Sequence, residues 1–301
     1  MIEVKRILCP VDFSEFSRHA LDYAVVLAGW YESEITVLHA FSMPIGLPVV
    51  PYGGPVLVEP PVATPAHRAE LRKSLEEFVK PLAVSGLRMS LQVGEGPAVG
   101  QILSQAAAIS ADLIVLGTHG RSGFERLLLG SVTEKVLRKA SCPVLTVPPR
   151  AEGAAPSFKR MLCAVDFSES SLRALQYALS LAQEADAELT VVHVLEMSPE
   201  SQDFETPGFS VRDYAVRFAA TAGERLAATI PAEARQYCKV KEVVTVGKAY
   251  REILRLSTEL EADLVVIGVR GRGAADLLVF GSTAQHVVRA ASCPVLTLRS
   301  A

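Results

Sequence analysis

Short aliphatic runs alternate with stretches of helical spacing along this chain. In the first half "RILCPV" (6–11) reads as a buried strand. Phe16, Ala20, Tyr23, Ala24 and Leu27 then fall at helical spacing. "EITVLHA" (34–40) predicts a second strand and "HRAELRKSLEEFVKPLAV" (67–84) an amphipathic helix. A third strand, "RMSLQV", precedes the helix "AVGQILSQAAAI", and a fourth, "DLIVLG", ends at Gly117. A glycine-punctuated loop leads to the helix "SVTEKVLRKA" and a fifth strand, "PVLTV", with Pro143 at its start, where a missing N–H is tolerated. The order βαβαβαβαβ with apolar strands predicts an α/β fold, a parallel sheet covered by helices on both faces.

The whole pattern occurs twice. Residues 5–17 match 159–171 at ten of thirteen positions, and residues 117–147 match 268–298 at 15 of 31. The repeats are domain-sized, so two tandem doubly wound domains are expected, 1–148 and 158–301. The Pro/Ala/Gly stretch "PPRAEGAAPS" joins them. Half of the 301 residues are hydrophobic, enough for sizeable cores, and the net charge is −3 without a basic block. That argues against nucleic acid as a partner. No apolar run reaches the roughly 18 residues of a membrane span. The start of the chain does not read as a signal peptide. The five cysteines show neither zinc spacing nor a C-x-x-C pair. A cytoplasmic protein with reduced thiols is expected. Cys9 and Cys163 fall within strands and read as core; Cys142 and Cys293 read as packing rather than reactive groups.

The candidate chemistry lies where a parallel sheet reverses its strand order. Asp12 and Gly117 end strands one and four, and Asp166 and Gly268 are their twins. Both copies carry Gly-x2-Gly-x9-Gly-Ser, at Gly117, Gly120, Gly130, Ser131 and at Gly268, Gly271, Gly281, Ser282. The first two glycines of each set suit a tight turn with uncovered amides. Ser131–Glu134 and Ser282–Gln285 have the spacing of capping boxes. A helix start there would attract phosphate, and Arg121 and Arg272 could add charge-assisted bonds. A facing carboxylate suits a ribose hydroxyl or a metal ion. Structural readings stand beside these: Asp12 as a helix cap, Ser131 as a cap only, and His39 and His193 as hydrogen-bonded strand-end histidines.

"CPVDFSE", "VLHA", "ADLIVLGTHGRSG", "LLLGSVTEKVL" and "SCPVLTV" resemble the universal stress protein family in its tandem form. The resemblance covers both halves. It implies five-stranded sheets in the order 3-2-1-4-5 and ATP as ligand, with or without magnesium. By similarity, adenine and ribose would lie against Pro10, Val11, Asp12 and Ala40, and the phosphates against Gly117, Gly120, Arg121, Gly130, Ser131 and Val132. The second site would be Val165, Asp166, Val194, Gly268, Gly271, Arg272, Gly281, Ser282 and Thr283. Family dimers imply that the halves pair through their fifth strands as an intrachain pseudo-dimer; whether two chains also form a homodimer is open.

The copies differ in ways that bear on equal affinity. Ala164 replaces Pro10, and Val269-Arg270 replaces Thr118-His119. Copy one also carries seven prolines in 43–65, which exclude an ordinary helix and suit a lid, a partner surface or a linker. The leading expectation is an ATP-binding signalling protein in which occupancy is the signal. A slow ATP hydrolase and a ligand-free interaction module are the alternatives. No G-x-x-x-x-G-K-[ST] is present to supply a P-loop lysine, and "VDFSE" is not the S-G-G-x-D-S type of loop that an ATP pyrophosphatase would show.

Overall fold

The aliphatic runs of the first half become β1 (Arg6–Val11), β2 (Glu34–Phe41), β3 (Arg88–Glu95), β4 (Leu113–Gly117) and β5 (Val144–Val147). Between them lie α1 (Glu15–Tyr31), α2 (Pro65–Val79), α3 (Ala98–Ala108) and α4 (Ser131–Lys139). The second half repeats this as β6 (Arg160–Ala164), α5 (Glu169–Ala185), β7 (Glu188–Leu195), α6 (Val211–Thr229), the short α7 (Ala234–Tyr237), β8 (Lys239–Val246), α8 (Ala249–Glu259), β9 (Leu264–Gly268), α9 (Ser282–Ala290) and β10 (Val295–Leu298). This computed structural model describes residues 2–43, 63–82, 86–120, 129–149, 155–196, 211–269 and 280–300. Most of the proline-rich stretch therefore lies outside the described residues.

One expected boundary moves. The helix read through to Val84 starts earlier, at Pro65, and its α-helical part ends at Val79. Thr64 accepts from the His67 amide and Pro65 takes the first turn, where its missing N–H costs nothing. Pro81 cannot donate to the ladder, so the chain continues only as a 3-10 turn over Lys80–Leu82.

Each half has the order expected for it, β3-β2-β1-β4-β5 and β8-β7-β6-β9-β10, all parallel. Strand periodicity then divides the core in two. Ile7, Cys9 and Val11 face α1 and α2, whose Leu21, Ala24 and Leu75 are buried there. Leu8, Ile114 and Leu116 face the other way, onto Ile102 of α3 and Val136 of α4. The same division runs through the second half, so one continuous face carries α1, α2, α5 and α6, and the opposite face α3, α4, α8 and α9. Among the described residues no helix is long and apolar enough to cross a membrane.

The two sheets merge where β5 and β10 pair antiparallel, Leu145 opposite Leu296. Thr146 Oγ1 donates to the Val295 carbonyl at 3.2 Å and Thr297 Oγ1 to the Val144 carbonyl at 3.1 Å, so the seam is bonded with near twofold symmetry. After the linker, Phe158 is buried edge-on against Tyr23 and Trp30 of α1. The antiparallel junction points the carboxyl ends of the two sets of strands toward opposite edges of the ten-stranded sheet.

All five cysteines are free thiols, and Cys9 and Cys163 are fully buried. Burial raises the Cys142 thiol to about 11 and the Cys293 thiol to about 12. Both therefore stay protonated at neutral pH, and they sit beyond opposite ends of the seam. Two outcomes follow. Native protein at pH 7 should resist alkylation and show no 142–293 bridge on a non-reducing gel. Leu145→Ala should lower stability by about 2–5 kcal/mol in urea unfolding, since it empties a site at the centre of the seam.

Candidate functional site

The turn after β1 is built on an uncommon backbone. Phe13 has φ 65° and Phe167, its twin, φ 62°, a region that bulky side chains seldom enter. The rings are held by packing, Phe13 4.2 Å from His39 and Phe167 4.6 Å from His193. Each histidine is buried and its Nδ1 donates to the last carbonyl before the aspartate, Val11 at 2.9 Å and Val165 at 2.7 Å. His39 and His193 are thus hydrogen-bonded strand-end residues that brace the turn.

The braced turn sets the carboxylate. Oδ1 of Asp12 accepts from the Ser14 amide at 3.1 Å and its hydroxyl at 2.5 Å, and Ser14 caps α1. Asp166 holds Ser168, the cap of α5, in the same way. The capping role therefore engages one oxygen. The other, Oδ2 of Asp12, points at Gly120: a methyl on that glycine would stand 2.8 Å from it.

Across the cleft, the Thr118 amide donates to Val147 at 2.9 Å, and the Gly130 amide donates to Thr118 at 2.8 Å. Copy two matches it, with Val269 bonded to Leu298 and Gly281 to Val269, both at 2.8 Å. These bonds correct the expected capping boxes. The N-caps are Gly130 and Gly281, and neither helix has a side-chain cap. Ser131 and Ser282 are already the first helical residues. Thr133 instead turns its hydroxyl back to the Gly117 carbonyl at 2.8 Å, and Glu134 pairs with Arg138 at 3.1 Å. Neither cap residue offers a side chain to the first-turn amides of α4 and α9, which face the cleft.

The reason for glycine is also different from the one expected. Gly117, Gly120, Gly130, Gly268 and Gly281 have no left-handed φ; they are required by close approach. A methyl on Gly130 would stand 3.0 Å from the Thr118 carbonyl, and one on Gly281 2.8 Å from the Val269 carbonyl. A side chain there would press on the loop backbone rather than fill the cleft.

Pro10, Val11, Asp12, Ala40, Gly117, Gly120, Gly130, Ser131 and Val132 line one cleft. Val165, Asp166, Val194, Gly268, Gly281, Ser282 and Thr283 line its twin. Arg121, Gly271 and Arg272 lie outside the described residues. The clefts are unequal, about 170 Å³ in the first half and 720 Å³ in the second. Their outer walls were not anticipated: Ala98 and Ile102 at the start of α3, and Ala249 and Ile253 of α8 with Glu196. Gly96 and Gly247, both at positive φ before those helices, were the available signal.

A family model described as the universal stress protein family matches this chain twice, over residues 3–148 and 157–299. The chain belongs to the universal stress protein family. It is thereby a stress-response protein of the tandem form. A universal stress protein of Mycolicibacterium smegmatis is 27% identical over 299 residues, covering 97% of this chain and 96% of its own. Universal stress protein MJ0531 of Methanocaldococcus jannaschii is 33% identical over 147 residues, 48% of this chain and 81% of its own. The crystal structure of a universal stress protein from Archaeoglobus fulgidus covers 99% of this chain and 97% of its own, with a TM-score of 0.66 and 24% identity, a likeness of fold.

The glycine geometry of this universal stress protein makes a prediction. A methyl at Gly268 would lie 2.6 Å from Ser170 Oγ and 2.7 Å from the Ser171 nitrogen, whereas at Gly117 the nearest atom is 3.0 Å away. Both alanine variants should be destabilised, Gly268→Ala by about 1–3 kcal/mol or more and Gly117→Ala by less. Denaturant midpoints of the two proteins measure the difference.

Proposed function

We propose that each half binds an adenine nucleotide, ATP, and that occupancy of the two clefts is what this stress-response protein reports. The observation that carries this is a juxtaposition made twice. An apolar slot opens between a braced carboxylate and a helix start bounded by glycine and lacking a side-chain cap. Val11, Leu38, Ala40 and Ile102 offer flat apolar contact for a base. Asp12 or Asp166 suits ribose hydroxyls. The first-turn amides of α4 or α9, with the positive end of the helix dipole, suit the phosphates.

The residues fit the ligand in chemistry. The second cleft also fits it in size, within the roughly 300–1,000 Å³ usual for small-molecule sites. Among the described residues no group of three or more His, Cys, Asp or Glu could hold a metal ion on its own. Magnesium would then come with the phosphates, as it does where protein ligands are few. Among the described residues lining the clefts there is no lysine or arginine. Amides and a helix end bind a ground-state polyphosphate but add little that is specific to the transition state.

Calorimetry should give two ATP per chain. Ser131→Asp and Ser282→Asp should each remove one site, and the double variant both. A carboxylate at a helix start repels phosphate yet favours the helix by about 0.3–1 kcal/mol, so melting temperatures should hold or rise. A stoichiometry of zero for the wild type would refute the nucleotide reading and leave an interaction module. Asp12→Asn keeps an oxygen for the Ser14 cap and should weaken site one by about 1–3 kcal/mol. Phosphate release with magnesium should stay well below about 1 per second, the low end for kinases. Faster release that disappears in the double variant would mark a hydrolase.

A further inference from the structure

Beside the twofold seam, the described residues carry one bond set without a counterpart. Arg299 directly follows β10, and its guanidinium donates to the Leu137 carbonyl at 3.0 Å and also to that of Arg138. Those carbonyls lie in the last turn of α4, in the other half of the chain. The residue at the matching position after β5 is Pro148, which has no donor to offer the end of α9. Among the described residues the clasp exists in one direction only.

What Arg299 is attached to gives the clasp its interest. The carbonyl of its neighbour Leu298 accepts from Val269, and the Val269 carbonyl accepts from Gly281, both at 2.8 Å. Val269 is thus strapped between β10 and the start of α9 in cleft two. The Arg299 carbonyl accepts from Arg173 Nη1 at 3.0 Å, on the helix whose cap Asp166 holds. At its other end the clasp holds α4, a helix of nine residues, whose first turn faces cleft one. A cation at the C-terminus and an anion at the N-terminus of one helix act favourably on the same dipole.

We infer that Arg299 couples the two clefts, so that filling cleft two strengthens binding at cleft one. Nucleotide seated at Ser282 steadies the Gly281–Val269–Leu298 strap. The strap sets Arg299, and Arg299 holds α4 in the position that accepts phosphate at Ser131. The mutual effect of two ligands is reciprocal even though the connection is built from one side. The bland alternative is that Arg299 only caps α4, which would leave the clefts independent.

The coupling rests on the ATP reading above, and two measurements keep the two ideas apart. In the first, ATP affinity at cleft one is measured in wild type, Ser282→Asp, Arg299→Ala and the double variant. Blocking cleft two should weaken cleft one by at least about fivefold when Arg299 is present, and not when it is absent. Equal affinities in wild type and Ser282→Asp, or a loss that persists without Arg299, would overturn the clasp. The second measurement needs no ligand. Gly281→Ala presses on the Val269 carbonyl, and should speed hydrogen exchange in α4 in the wild-type background but not in Arg299→Ala. Exchange in α4 that ignores Gly281→Ala, or responds equally in both backgrounds, refutes the coupling. Failure of ATP to bind refutes only the nucleotide reading, and the exchange cycle still decides the clasp.

Discussion

Pairing of β5 with β10 is the constraint from which the rest of this molecule follows. Each is a four-residue apolar edge that would be an aggregation hazard if left open. Joined antiparallel, they hide one another and make ten strands into one sheet. The junction also puts both sets of similar helices on common faces. It ties the glycine loops to the seam as well, because Thr118 and Val269 donate to the last residues of β5 and β10.

The architecture was largely legible because it rests on period and repetition. Alternating aliphatic runs marked the strands, and two copies of one pattern marked the duplication. For the candidates among the described residues, the sequence pattern showed which of them share a cleft; Arg121, Gly271 and Arg272 lie outside those residues. What escaped was decided by bonds between distant segments. Ser131 has the spacing of a capping box, yet the Gly130–Thr118 bond starts the helix one residue earlier and Thr133 turns to Gly117. No local pattern shows a loop carbonyl approaching from another strand. For the same reason the glycines read as turn formers, when contact with Thr118, Val269 and Ser170 is what excludes a side chain. The positive φ of Phe13 was equally hidden, since phenylalanine is an unfavourable choice for that conformation and is held here by its packing on His39 and Phe78.

The halves keep the machinery and vary its surroundings. The braced aspartate, the bonded glycines and the uncapped helix are shared almost bond for bond. Cleft volume, the presence of Glu196 in the wall of the second cleft and the cross-seam bonds of Arg299 are not. Glu196 and Arg299 lie just beyond the ends of β7 and β10, where a substitution leaves the strand pairing untouched.

The opposed directions of the two sets of strands have a consequence for recognition. Cleft one opens at one edge of the sheet and cleft two at the other, so a small partner docked over either leaves its twin in full view. One chain thus has two addresses on opposite sides of a single body. Under the occupancy reading proposed above, a signal would be displayed on two sides at once, and the proposed Arg299 connection would run between them through the interior.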